Sequence, residues 1–130
     1  MAKSFSLQSV LAIRERAVEL LEMQLAGLLA EERELKMRVE QLQRIEHGMF
    51  VDLARQQLGV LDLPFIEQVR WQLLNLQKQI RDHTRRLLDV EAQIEAKRKE
   101  IIRAEQAKET LEKLKEHEME AWAAEIARRE

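Results

Sequence analysis

Three histidines, His47, His83 and His117, are the side chains of this 130-residue sequence best suited to metal or proton chemistry, and their spacing argues against both roles. They lie far apart, and none joins another ligand type at the four-residue helical interval in a metal-like cluster. No metal site is expected. The chain has no cysteine, which removes disulfide and thiol redox chemistry. Gly27, Gly48 and Gly59 form no phosphate-binding motif, and no set of nucleophile, base and orienting group can be assembled. The sequence therefore reads as non-enzymatic, with no cofactor.

The aromatic residues carry more information. Trp71 lies about 200° around a helix from Val69, so a helix that buries Val69 turns Trp71 outward, with Leu74 nearer the tryptophan than the core. A large apolar side chain in that position marks a contact surface. Phe50 and Phe65 fall in the same part of the chain, and these rings either cap the core where two helices splay or belong to the partner surface. Trp122 follows two polar interruptions, Lys115 and Glu118, and is surrounded by Ala121, Ala123, Ala124, Ile126 and Ala127. An unpaired helix with that face is either a frayed tail or an element that docks into a groove. The candidate protein-binding residues are thus Glu118, Trp122 and Ile126 at one place and Phe50, Trp71 and Leu74 at another.

Charge narrows the partners. The 22 basic and 24 acidic residues leave a net charge of −2, which supplies no general attraction to nucleic acid or anionic lipid. Local basic clusters, Arg85-Arg86 and Lys97-Arg98-Lys99, could meet phosphates. Acids are interleaved with them and few aromatics are available for stacking, so a solvated helix face is the better account. Nucleic-acid binding is not expected. No apolar run reaches signal-peptide or membrane-spanning length, and the chain is read as intracellular and soluble.

The elements that position these residues follow from a heptad repeat. Counting four and three from Leu7 reaches Leu53 through 14 positions, of which 11 are apolar. After a break at Leu58-Gly59 and Pro64 the same count from Ile66 reaches Trp122 through 17 positions, of which 12 are apolar. A repeat of 3.5 residues sustained over this span means a coiled coil. The spacing predicts an all-α fold, one long two-helix antiparallel coiled-coil hairpin: helix one over about 4–57, a turn over 58–64 and helix two over about 65–129. At 1.5 Å per residue the helices would be roughly 75 and 100 Å long. Ser4 or Ser6 would cap helix one, and Pro64 fits the first turn of helix two. Leu7 would pair near Lys115, leaving everything beyond Glu116 as a C-terminal overhang of about two heptads. Six acid-to-base pairs four residues apart, from Glu32/Lys36 and Glu34/Arg38 through Glu40/Arg44, Asp82/Arg86 and Glu95/Lys99 to Glu109/Lys113, support both helices.

Four segments, in order along nearly the whole chain, resemble the bacterial flagellar export protein FliJ family. They are the opening Phe5-x-Leu7-x-x-Val10-Leu11-x-x-Arg14, the Gly59 break, the run Val69-x-Trp71-x-Leu73-x-x-Leu76-x-x-x-Ile80, and the closing Lys108-Glu-Thr-Leu111-Glu-Lys-Leu114-Lys-Glu116. The resemblance implies a cytoplasmic component of the flagellar type III export apparatus, similar to the two-helix stalk of a rotary ATPase. Its implied partners are the hexameric export ATPase, the cytoplasmic domain of the export gate and export chaperones, with the membrane reached through those partners only. The implied ATPase-facing end is the N-terminal turn with the helix Glu116 to Glu130, and Phe50 and Trp71 become gate candidates. Family members usually continue beyond the position of Glu130, so a shortened docking end is expected. The injectisome stalk proteins and a generic coiled-coil scaffold or tether remain alternatives. A scaffold would self-associate through extended single helices, whereas a stalk would be a monomeric hairpin when free.

Overall fold

A computed structural model of the protein describes residues 5–56, 59–60 and 62–130. They form two long α-helices packed against each other, α1 from Gln8 to Gln56 and α2 from Leu63 to Arg129. The fold is an all-α helical hairpin. It divides into two compact units, one of Met1–Gly27 with Ile94–Glu130 and the other of Leu28–Gln93.

In the first unit the start of α1 packs on the C-terminal part of α2, and Phe5, Leu11, Val18 and Ile94 are its buried side chains. Two cross-helix bonds fix the pairing. The Ser6 hydroxyl donates to Glu118 Oε2 at 3.0 Å, and Lys97 Nζ donates to Gln24 Oε1 at 3.0 Å and to Glu100 Oε2 at 3.4 Å. Residue numbers run in opposite directions along the two partners, so the segments are antiparallel. The Lys97 ammonium occupies a heptad position that alternation assigns to the interior, and it reaches outward along its stem to these two oxygens.

The second unit joins the rest of α1 to the start of α2 around Leu42, Val69, Leu73, Leu76 and Val90. Leu42 and Val90 are the most completely enclosed, at 2% and 0% exposure. Arg86 crosses to Glu31, with Nη2 at 2.7 Å and Nε at 2.9 Å from the same Oε1. The start of α2 is capped as its sequence requires. Asp62 Oδ1 accepts the Phe65 N–H at 3.2 Å, and the Asp62 carbonyl accepts the Ile66 N–H at 3.0 Å. Asp62 thereby satisfies two of the donors that a helix start leaves orphaned, while Pro64 has none to lose.

Several sequence expectations change. Ser6 does not cap α1 with its side chain, because its hydroxyl is bonded to Glu118; the helix is entered through a turn in which Gln8 N–H donates to the Phe5 carbonyl at 3.1 Å. Ser4, Gln57 and, within the expected turn over 58–64, Leu58 and Leu61 lie outside the described residues. Pairing with the N-terminal segment extends to Glu118 and does not stop at Glu116, because the Phe5–Ser6 turn precedes α1 and reaches further along α2 than a count from Leu7 allows. Leu7 itself is exposed, as is Arg14. Of the expected intrahelical pairs, Glu32–Lys36 and Glu40–Arg44 close at 3.9 Å each. Arg86 leaves Asp82 for Glu31, which it meets with two nitrogens.

Candidate interaction surfaces

Every heptad position of α2 from Ile66 to Trp122 is buried or half-buried, so the residues that can meet a partner are those between them. In the second unit Trp71 and Leu74 point away from the packed face, 75% and 60% exposed. With Glu67 and Arg70 they line an open hollow of about 300 Å³. An indole edge, an isobutyl group and one charge of each sign can hold an apolar anchor and orient a polar rim around it. Phe50, on α1 of the same unit, is 47% exposed, and Phe65 is also on the surface.

The other predicted residues belong to the first unit. Trp122 and Ile126 are half-buried on α2, and the half-buried Glu118 holds Ser6. Phe5, next to Ser6 in the chain, is buried. The six predicted residues therefore do not form one site. Glu118, Trp122 and Ile126 share one unit, and Phe50, Trp71 and Leu74 share the other.

A further patch in the first unit escaped sequence reading. Ile13, Leu20 and Met23 are all strongly exposed on α1, spaced seven and three residues apart on the side facing away from Leu11 and Val18. The signal was present as a second apolar row offset from the seam. The seam's own longer repeat obscured it.

Nothing in these surfaces is arranged for bond-making chemistry. Among the described residues there is no group of three His, Asp or Glu side chains able to hold a metal, and no buried side-chain polar atom lacks a partner. His83, the one histidine on the seam, has Nδ1 2.8 Å from the Gln79 carbonyl oxygen, so the Nδ1–H donates within its own helix. Leu35, Asp82 and Arg86 complete a shallow hollow beside it, and Arg86 there is already committed to Glu31.

An all-α hairpin with outward apolar anchors agrees with what the sequence matches. A family model described as "Flagellar FliJ protein" matches residues 3–130. The chain belongs to the FliJ family. It is accordingly a component of the flagellar export apparatus, a family of non-catalytic export proteins with a helical coiled-coil fold. No curated protein and no solved structure matches the chain. Within this FliJ-family protein no described helix is long and apolar enough to cross a membrane.

Proposed function

We propose that this FliJ-family protein is the stalk of the flagellar export ATPase, non-enzymatic itself, seated in the hexameric ring by its first unit and meeting the export gate through its second. The observation that carries the proposal is the Ser6–Glu118 bond together with the continuation of α2 to Arg129. It ties the Phe5–Ser6 turn to the C-terminal helix, with Trp122 and Ile126 on that helix just beyond the tie. Exposed Ile13, Leu20 and Met23 add apolar area to the same unit, which suits insertion into a ring lined by several copies of one subunit. Phe50, Trp71 and Leu74 form the gate-facing surface, and export chaperones engage the same component. The protein works at the cytoplasmic face of the inner membrane, held there by these partners, and is a monomer when free.

The test is to add the full chain to a purified flagellar export ATPase and follow ATP hydrolysis and hexamer formation. Faster hydrolysis with more hexamer is expected, and Trp122→Ala combined with Ile126→Ala should weaken both. Absence of binding at micromolar concentration would overturn the stalk assignment in favour of a coiled-coil scaffold with other partners.

A further inference from the structure

On α2, within the unit Leu28–Gln93, the residues at 71, 74, 78, 81, 85 and 88 recur at intervals of three and four, so they share one stripe of the helix. The stripe reads Trp71, Leu74, Lys78, Arg81, Arg85 and Leu88, and every one of these side chains is exposed. It extends over about 25 Å of helix, the length of a five-turn partner. From Trp71 to Leu88 its charge is of one sign. Asp82 and Asp89 stand on the neighbouring row within a helical turn, and Glu67 flanks Trp71, yet Lys78, Arg81 and Arg85 meet no carboxylate among the described residues. The cations nearer the packed face of α2 behave differently, since Arg86 is joined to Glu31 and Lys97 to Gln24 and Glu100.

We propose that this stripe is the docking surface for an acidic amphipathic helix of a partner protein. Apolar residues of the incoming helix cover Trp71 and Leu74 at one end and Leu88 at the other, and its carboxylates, three and four residues apart, meet Lys78, Arg81 and Arg85 between them. The spacing is the ground for preferring a helix, because a second α-helix repeats side chains at the same intervals along the contact. Charge complementarity is the ground for its acidity. A nucleic-acid strand fits less well, as one indole provides a single stacking platform for its bases. A membrane surface fits less well too, because the broad apolar face it needs is spent on Val69, Leu73 and Leu76, which are buried. The inference rests on Trp71 and Leu74 being the gate-facing surface of the stalk, and it adds the chemistry of what they meet.

Two probes separate the inference from that assignment. With Trp122→Phe the full chain keeps Trp71 as its one indole, and Trp71 fluorescence reports coverage of the stripe. The first probe is a synthetic helix of about three heptads with a leucine stripe flanked by glutamates, compared with its glutamine counterpart. The glutamate helix should shift Trp71 emission to the blue, bind about tenfold tighter than the glutamine helix and weaken as salt is added. The triple change Lys78→Glu, Arg81→Glu, Arg85→Glu should abolish that preference while the helical signal of the protein is kept. No blue shift, equal binding of the two helices, or tighter binding to vesicles of anionic phospholipid would each overturn the inference. The second probe is the purified cytoplasmic domain of the export gate. Failure of that domain to bind, with the glutamate helix still bound, overturns the gate assignment and leaves the acidic-helix surface in place.

Discussion

Trp71 and Leu73 stand two residues apart on α2 and invert the usual order of truncation costs. The indole is the larger group, yet it is 75% exposed, while Leu73 is 8% exposed. A tryptophan side chain presents about 200 Å², so covering a quarter of it removes roughly 50 Å² from water and contributes about 1 kcal/mol. Alanine recovers about 0.5 kcal/mol of helix propensity, which leaves about 0.5 kcal/mol for Trp71→Ala. Leu73→Ala removes a nearly enclosed side chain, for which core truncations cost about 2–5 kcal/mol. A seam between two helices lets water reach the gap, so the lower end, about 2 kcal/mol, applies here.

Both residues lie in the unit Leu28–Gln93, so both substitutions perturb the same compact unit. Urea unfolding followed by far-ultraviolet circular dichroism is the direct assay. With a slope of about 2 kcal/mol per molar, Leu73→Ala should lower the midpoint by about 1 M and Trp71→Ala by about 0.25 M, with the slope unchanged. A Trp71→Ala loss as large as that of Leu73→Ala would place the indole in the seam. The outward stripe, the hollow beside Glu67 and Arg70, and the docking surface would then all be wrong.

Three further outcomes test separate parts of the fold. Asp62→Ala should cost about 1 kcal/mol and fray the first turn of α2, seen as faster amide exchange at Phe65 and Ile66, because the Asp62 carboxylate holds the Phe65 N–H. Gly48→Ala should raise the thermal midpoint, gaining up to about 1 kcal/mol, since a Cβ built there meets nothing within 4 Å; a loss would reveal a contact that needs the bare backbone. Arg86→Ala and Glu31→Ala should each cost less than about 1 kcal/mol, and a double-mutant cycle should give a coupling that shrinks in high salt, because both side chains remain well exposed.

The helical pairing was legible because its cause is periodic. A 3.5-residue repeat of apolar side chains has one economical solution, burial along a shared seam, and all 17 positions counted on α2 are withdrawn from solvent even where they carry Lys97, Lys108 or Glu118. Asp62 and Pro64 announced the start of α2 by their local chemistry alone. The outward position of Trp71 and Leu74 followed from the same period. What the sequence could not convey was choice between competing partners. Asp82 and Glu31 are both available to Arg86 by spacing and by folding, and the cross-helix acid accepts two nitrogens. Ser6 could have capped α1, but its hydroxyl was taken by a carboxylate 112 residues away. The split of the candidate binding residues between two units is likewise a property of long-range pairing, which no local pattern records.

Register follows from the polar contacts more than from the apolar ones. Heptad seams tolerate a seven-residue slip, because leucines and valines replace one another with little penalty. The cross-helix bonds do not. In the observed pairing Arg86 faces Glu31 and Lys97 faces Gln24. Moving α1 one heptad one way would set Arg86 against Arg38 while bringing Lys97 to Glu31; moving it the other way would set Arg86 against Gln24 and Lys97 against Ala17, which deprives Lys97 of its cross-helix acceptor. Either slip also breaks the Ser6–Glu118 bond. Partly exposed pairs of this kind add little stability one by one, but each slipped state loses two of the three cross-helix contacts, and that difference favours one alignment. Correct alignment is what brings the N-terminal turn to the helix carrying Trp122 and Ile126. The weak polar contacts of the seam thereby determine whether the end proposed to enter the ATPase ring is assembled at all.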